Sequence, residues 1–343
     1  MTIRMKLAGL ATAVGLALSA AMPAAAETVT IRYSNWLPPG FWLWEDVLMP
    51  WIQDIEKVTE GRVKVEVAPK VVGTAANQFD VVRDGLADMS WMVAGYNPGR
   101  FPITEFGELP LIHPKAEVLA PVFDTIYREH LEKYEPFKGV YPLSLPTITP
   151  LQIVTKNRNI ESVDGLKGAK LRSSGTTLTA VMEAIGAVPV LKSAAEAYEM
   201  LAAGTIDGQI TNLNTIPGFN QLDLLNGVFH IPGGLANAVI IIGINQEKWD
   251  SISEADRKAI QEISGAVLAK KVGHHYDLND EKALETMKAA GYYMGKATDD
   301  QLAALREFVK PVEQAWIERA KAAGLENAAE ILELYKSETA KAE

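Results

Sequence analysis

The stretch GLKGAKLRSSGTTLTAVMEAIGAV, residues 165–188, predicts the local architecture on which the fold of this chain depends. Its segment AKL is strand-like and ends at Arg172, and small polar residues follow. The next apolar residues recur at helical spacing: Leu178, Val181, Met182 and Ile185. The stretch is therefore predicted to be a strand–loop–helix unit, with a permanent cation where the strand ends and the helix is about to begin.

The position of Arg172 suggests a role in binding an anion. In open α/β units ligands bind outside the carboxyl ends of strands, and a helix start offers free N–H groups and a partial positive charge. The guanidinium can hold a carboxylate through two parallel hydrogen bonds, and the hydroxyl of Ser173 lies beside it in the sequence. The alternative is a surface arginine paired with an Asp or Glu, and position alone leaves both interpretations open.

Similar units recur along the chain. Extended or β-branched segments predict strands at 29–36, 62–69, 89–95, 139–145, 151–156, 206–212 and 236–245. A helical pattern at 76–88 lies between two of them, so the first strands are expected to be parallel with right-handed crossovers. The apolar run 236–245 is typical of a central parallel strand. The pattern predicts two α/β units of similar design.

The C-terminal part is predicted to be helical from Ser253 almost to its end. Capping-box patterns mark two helix starts, at Ser193 with Glu196 and at Thr298 with Gln301. Pro311 is expected to interrupt a long amphipathic segment, because proline removes a backbone donor.

The chain has 343 residues, no cysteine and a formal net charge of −10. Residues 1–26 are expected to be a cleaved secretory signal peptide, with a basic start, an apolar run and a small-residue cleavage pattern. The alternative is an uncleaved anchor, but the run falls short of the about 20 apolar residues that span a bilayer. Loss of Arg4 and Lys6, with no acids, would lower the charge from −10 to −12. We expect a periplasmic protein, and this acidity argues against nucleic acid as a partner.

Several longer motifs, in a consistent order, carry a family resemblance. They are KVTEGRVKVEVAPKVVG, VVRDGLADMSW, FGELPLI, GLKGAKLRSSG, AIGAVPV, EAYEMLAAGTIDGQ and NQEKW. Over roughly residues 29–310 the chain resembles the DctP-type solute-binding proteins of TRAP (tripartite ATP-independent periplasmic) transporters. The resemblance implies an α/β, two-lobed periplasmic-binding-protein fold with hinge strands and a long C-terminal helical region. Such a protein closes over a small organic anion and delivers it to membrane permease subunits.

The expected lobes are discontinuous, because strand-rich segments lie where the chain could cross between the two units. Lobe 1 is expected to comprise residues 27–150 with about 238–278, and lobe 2 residues 151–237 with about 279–305. Residues 306–343 form the expected helical tail, which could clasp the lobes or mediate a dimer, although a monomer is favoured.

The resemblance also implies site residues in lobe 2. In the family the arginine of the GLKGxKxR motif pairs with the substrate carboxylate, and Arg172 stands at that position. The family's polar contact after the sequence DGQ falls at Thr211 or Asn212. Several members carry a second basic residue where this chain has Gln152. A monocarboxylate is therefore favoured over a dicarboxylate or a large acidic sugar.

Lobe 1 is expected to complete the pocket with residues at its strand ends, namely Asn35, Trp36, Thr74, Trp91 and Met92. The two tryptophans could line the cleft or belong to the core. If they line the cleft, they favour an aromatic or branched carboxylate, or a zwitterion whose cationic head sits on an indole face.

No cofactor or metal site is predicted. His274 and His275 are adjacent in a helical region and so do not share a helix face, and the chain has no GxSxG or HExxH motif. Two other functional classes stay open as alternatives: a periplasmic ligand sensor of the same fold, and an enzyme that uses Asp or Glu.

Overall fold

The computed structural model describes residues 28–157 and 159–342, so the predicted signal peptide lies outside the described residues. The strands are β1 Val29–Ser34, β2 Val63–Val67, β3 Met89–Val93, β4 Val140–Ser144, β5 Gln152–Thr155, β6 Lys170–Ser173, β7 Val188–Leu191, β8 Gly208–Thr211, β9 Gly227–His230, β10 Ile240–Asn245 and β11 Tyr293–Lys296. The predicted strand segments all contain one of these strands, with bounds that differ by a few residues.

Helices connect and cover the strands. They are α1 Met49–Val58, α2 Gln78–Arg83, α3 Ala116–Ile126, α4 Thr176–Ala184, α5 Ala194–Ala202, α6 Thr215–Gly218, α7 Gln246–Asp250, α8 Glu254–Glu262, α9 Gly265–Ala289, α10 Asp299–Ala322 and α11 Ala328–Lys341. π-helical turns at Leu43–Leu48 and Tyr127–Leu131 extend α1 and α3. Both predicted capping boxes are confirmed at the starts of α5 and α10.

The first sheet has the strand order β2-β1-β3-β10-β4. Strand β1 is parallel to β2 and β3, as predicted. Strand β10 is an interior strand but is antiparallel to both of its neighbours, so the predicted parallel direction is wrong. The physical reason is that Ile240–Ile244 are buried on both faces of the sheet. An unbroken apolar run indicates this double burial and carries no information on strand direction.

The second sheet has the order β11-β9-β5-β8-β6-β7. Strand β6, the strand of the opening stretch, is parallel to β7 and β8. Strand β11 lies in the segment predicted to be helical, and that prediction is wrong there. Helix α9 ends at Ala289, and Gly291 has a positive φ of 80°. This left-handed residue ends the helix and turns the chain into an edge strand beside β9.

The chain passes between the sheets by way of two paired segments and one helix. The segments after β4 and after β9 pair through Thr147 and Val239, and the backbone N–H of Ile240 donates to the carbonyl of Pro146 at 2.9 Å. Helix α9 packs against α3 near its start, whereas Met287 near its end belongs to a hydrophobic cluster of the second sheet. These three elements join the two sheets, and helix α10 leads from β11 back to the first half.

The C-terminal helices pack back onto the first half. The indole N–H of Trp316 donates to the carbonyl of Pro102 at 2.9 Å, and the Tyr335 ring packs edge-on against Phe106. Helix α10 runs through Pro311, so the predicted interruption is wrong. The carbonyl that loses its donor is that of Glu307, an exposed residue. In the described chain, no helix combines the length and hydropathy needed to cross a membrane.

Candidate ligand-binding cleft

A narrow cleft lies between the two halves of the molecule, with a cavity volume of about 50 Å³. Its lining is Trp36, Leu37, Phe41, Trp91, Val93, Tyr96, Ile148, Leu151, Arg172, Ser174, Ala194, Thr211, Asn212, Thr215, Phe219, Ala238, Ile240 and Tyr276. We call this site the interlobe cleft. Five of the ten predicted site residues line it: Trp36, Trp91, Arg172, Thr211 and Asn212. A larger open depression on the surface shares no residue with it.

Arg172 is the basic side chain of the cleft lining, and it is only 2% exposed. Its Nε donates to the carbonyl of Lys192 at 2.8 Å, and its Nη2 donates to the Tyr96 hydroxyl at 3.1 Å. Within residues 28–157 and 159–342, no carboxylate forms an ion pair with Arg172, whereas Arg128 pairs with Asp124. A buried cation without an anionic partner is costly, so the cleft is electrostatically suited to an anion.

Tyr96 connects the two halves beside this arginine. It follows strand β3 of the first sheet, yet its hydroxyl accepts hydrogen bonds from Arg172 and from the backbone N–H of Ala194 at 2.9 Å. Ala194 is the first residue of α5, and α4 begins at Thr176, directly after the arginine strand. Two helix N-termini and a guanidinium thus meet at one end of the cleft, which adds to its positive potential.

The amide of Asn212 follows the end of β8, which is the neighbour of the arginine strand in the sheet. Its Oδ1 accepts from the Thr215 hydroxyl at 2.9 Å, and its Nδ2 donates to Oδ1 of Asn214 at 2.9 Å. Thr211 lies one residue earlier and is also buried in the lining. Asn212 is therefore held by neighbouring side chains and can offer a second amide hydrogen to a ligand.

Aromatic rings form much of the remaining wall. The Trp36 indole N–H donates to the carbonyl of Trp91 at 2.8 Å, and the Trp36 ring lies 6.4 Å from that of Phe219. The Trp91 ring stacks on Tyr276 at 6.4 Å with an interplanar angle of 14°. The structure thus places both predicted tryptophans in the wall. It adds Tyr96, Phe219 and Tyr276, which the sequence reading missed.

Three predicted residues do not line the cleft, because their side chains lie on the opposite face of a strand or bond to backbone groups. Side chains alternate along a strand, so Arg172 and Ser174 line the cleft while Ser173 bonds to the Thr179 hydroxyl at 2.8 Å. The same alternation directs Met92 away from the cleft lining. Gln152 is buried, and its side chain bonds to the backbone of Pro150 and Ile231.

The other two predicted residues close local turns. Oδ1 of Asn35 accepts from the backbone N–H of Leu37 at 3.0 Å. Thr74 is exposed and forms a capping box with Asn77 at the start of a short 3₁₀ helix. Neither belongs to the lining of the cleft. A strand end alone therefore did not identify them as ligand contacts.

The two halves also touch beside the cleft, at Gly95 and Gly175. A Cβ on Gly95 would overlap the carbonyl oxygen of Ser174 and lie 3.0 Å from Cα of Gly175. A Cβ on Gly175 would meet Cα of Gly95 at 3.1 Å and a carboxyl oxygen of Glu108 at 3.2 Å. Two backbones can approach this closely only without side chains, so we call this the glycine contact.

Glu108 is a buried carboxyl next to the glycine contact, 4% exposed. Burial raises the pKa of Glu108 to about 8, and the negative charge of Glu105 adds to this effect. The backbone N–H of Val239 and the charge of Arg319 oppose it. Because the folded-state pKa lies above the ordinary value, the protonated form is the one that the fold stabilises.

This shift predicts a pH-dependent stability. The contribution of Glu108 is fully present below its ordinary pKa of 4.5 and is lost progressively as pH rises from there through about 8. We expect Glu108→Gln to flatten the fall of Tm between pH 6 and pH 9. The exposed Glu199 supplies the control, since Glu199→Gln should leave the curve unchanged. Parallel Tm curves for Glu108→Gln and the unmodified protein would contradict this account.

The fold and the cleft define the class of the protein, a two-lobed solute-binding protein. The model of the family "Bacterial extracellular solute-binding protein, family 7", DctP, matches residues 35–319, and the chain belongs to this family. The resemblance seen in the sequence to DctP-type TRAP proteins is thereby confirmed. The C4-dicarboxylate-binding periplasmic protein DctP of Rhodobacter capsulatus is 29% identical over 322 residues, covering 90% of this chain and 92% of its own.

Solved structures of TRAP solute-binding proteins are similar to the whole described fold. One from Bordetella bronchiseptica, with bound (R)-mandelate and (S)-mandelate, is 32% identical with a TM-score of 0.87, covering 92% of this chain and 100% of its own. A marine metagenome protein specific for aromatic acid ligands, in complex with 3-hydroxybenzoate, is 28% identical with a TM-score of 0.85, covering 92% of this chain and 99% of its own.

Proposed function

We propose that this protein is the periplasmic receptor of a TRAP transporter, and that it captures a small aromatic monocarboxylate and delivers it to membrane permease subunits. The observation that carries the proposal is Arg172, a buried guanidinium with no carboxylate partner in the described chain, in a cleft walled by aromatic rings. Arg172 and Asn212 bind the carboxylate, and Trp36, Trp91 and Phe219 contact the apolar body of the ligand.

The charge of the cleft supports a single anionic group. Arg172 is the one basic side chain among the described residues that line it. Gln152, at the position where several family members have a base, is fully engaged with backbone groups. A second carboxylate of the ligand would have no cationic partner and would lose its hydration. For this reason a monocarboxylate is preferred here, although a relative is a C4-dicarboxylate-binding protein.

The aromatic wall supports a flat ligand. Aromatic pairs gain from offset or edge-on contacts in addition to the burial of apolar area, and two relatives were solved with aromatic acids. A zwitterion with a cationic head on an indole face is the second candidate, and the experiment below separates the two.

We further propose that binding closes two lobes with the boundaries expected from the sequence, 27–150 with about 238–278 and 151–237 with about 279–305. The paired segments at Thr147 and Val239 and the helix α9 are the hinge. The tail 306–343 acts as a clasp on the first lobe through Trp316 and Tyr335. The protein acts without a cofactor and without catalysis.

A thermal-shift screen of residues 27–343 tests the proposed function. The panel contains benzoate, mandelate and 3-hydroxybenzoate, their uncharged amides, C4-dicarboxylates, sugar acids and betaine-like zwitterions. A ligand at 100 times its dissociation constant stabilises by about 2.7 kcal/mol, so a rise in Tm is expected with the aromatic acids alone. If Tm rises with the amides or with cationic compounds and not with the acids, the proposed binding of a carboxylate is contradicted.

A further inference from the structure

A carboxylate outside the cleft lining, that of Asp280 on α9, is bonded to the residue that holds Asn212. The backbone N–H of Asn214 donates to Oδ1 of Asp280 at 2.7 Å, and the side-chain Nδ2 of Asn214 donates to the same oxygen. Oδ1 of Asn214 in turn accepts from Nδ2 of Asn212 at 2.9 Å. The three side chains form one continuous path from the interior of lobe 2 to the cleft.

The direction of these hydrogen bonds is set by Asp280. An ionised carboxylate can only accept, so Asn214 must turn its Nδ2 toward Asp280 and its Oδ1 toward Asn212. That oxygen also only accepts, and Asn212 must therefore donate. The other partners of the Asn212 side chain are the hydroxyls of Thr215, at 2.9 Å, and Thr211, at 3.4 Å. A hydroxyl can donate or accept, so both adapt to either orientation of the amide.

The hydrogen bonds around Asp280 favour its ionised form, as this role requires. Burial raises the pKa of Asp280 to about 6, and hydrogen bonds from Asn214, Thr149 and Leu213 oppose that rise. N–H groups that donate to a carboxylate stabilise its charged form, and that negative charge would repel the oxygen of a flipped Asn214 amide.

We propose that Asp280 is a positioning residue of the interlobe cleft: it fixes the amides of Asn214 and Asn212 so that Asn212 presents N–H, and not its oxygen, to the bound carboxylate. The inference rests on the proposed function only in naming the ligand. The orientation of the amide is a property of the protein itself and can be measured without a ligand.

The effect on binding is measured by calorimetry with mandelate and 3-hydroxybenzoate. Asn212→Ala should weaken binding by about 10- to 150-fold, the effect of one charge-assisted hydrogen bond. Asp280→Ala should weaken it by about tenfold, and Asn214→Ala, which removes the middle of the path, should do the same. In the Asn212→Ala background, Asp280→Ala should change affinity by less than about twofold, because the two residues act through one path.

Asp277, three residues earlier on the same helix, supplies the matched control. Its carboxylate accepts hydrogen bonds from the backbone N–H groups of Ala116 and Glu117, both at 2.9 Å, and within the described residues it has no hydrogen bond to the cleft lining. Asp277→Ala should lower Tm and leave affinity unchanged. Equal losses of affinity in Asp277→Ala and Asp280→Ala, or an undiminished loss in the Asn212→Ala background, would reduce Asp280 to a structural role and overturn the proposal.

A ligand-free measurement separates this inference from the proposed function. The side-chain amide protons of Asn212, assigned by their disappearance in Asn212→Asp, should exchange slowly with solvent, and Asp280→Ala should accelerate that exchange at least about tenfold. Unchanged exchange overturns the positioning role. A third outcome is that exchange is slow and is accelerated by Asp280→Ala, but the protein binds neither mandelate nor 3-hydroxybenzoate. This outcome supports the positioning role and rejects the proposed function.

Discussion

Replacing Arg172 by alanine is expected to weaken carboxylate binding by about 150- to 4,000-fold. Removing one partner of a buried ion pair costs about 3–5 kcal/mol, and each 1.4 kcal/mol corresponds to a tenfold change in affinity. The buried guanidinium has Lys192 and Tyr96 as its partners in the described chain, and neither carries the negative charge that a ligand would bring. The dissociation constant of the best acid from the screen is the quantity to measure.

Two observations distinguish this role from a structural one. Arg172→Lys keeps the charge but loses the planar fork that binds a carboxylate through two hydrogen bonds. Its affinity for the acid should therefore lie between that of Arg172→Ala and that of the unmodified protein. The Tm of the ligand-free Arg172→Ala protein should not drop by the amount that loss of a structural salt bridge would cause, because no internal ion pair is broken. A loss of affinity below tenfold would remove Arg172 from the binding site.

Replacing Gly95 by alanine is expected to weaken ligand binding by about 5- to 150-fold without a matching loss of stability in the ligand-free protein. The added methyl group would overlap the carbonyl oxygen of Ser174 on the other side of the glycine contact. Overpacking costs about 1–3 kcal/mol, and under the closure proposed above this cost falls on the closed arrangement alone. Affinity is reduced because a ligand that requires closure must supply that energy.

Gly165→Ala is the control for this substitution. Gly165 is exposed, and its added Cβ would meet the Ile160 side chain at an ordinary 3.4 Å. It should change neither affinity nor the angle between the lobes measured by small-angle scattering. If Gly95→Ala binds as tightly as the unmodified protein and closes to the same extent, the glycine contact is not part of closure.

The sequence predicted those features that depend on local pattern. The strand–loop–helix unit around Arg172 could be predicted because the sequence pattern changes twice within 24 residues. It changes from a strand to a polar loop, and then from the loop to a helix. The capping box of Ser193 with Glu196 is readable for the same reason. Features of this kind require only neighbours in the chain.

Features that depend on distant parts of the chain were not predicted. Tyr96 reaches a residue 76 positions away, and Gln152 is held by a carbonyl 79 positions away. No pattern within a window of ten or twenty residues contains that information. Ser173 and Met92 lie outside the cleft lining for a different reason. Side chains alternate along a strand, so the neighbours of Arg172 and Trp91, namely Ser173 and Met92, lie on the opposite face.

The position of β10 determines when during synthesis the first sheet can be completed. Its place is between β3 and β4, yet residues 240–245 are synthesised long after residues 89–93 and 140–144. Until then β3 has an unpaired edge and β4 has no partner strand in this sheet. Unpaired strand edges invite pairing with other chains, and contacts this far apart in sequence form slowly. The N-terminal half of the chain therefore cannot complete the first sheet by itself, and the sheet stays incomplete until β10 has been synthesised.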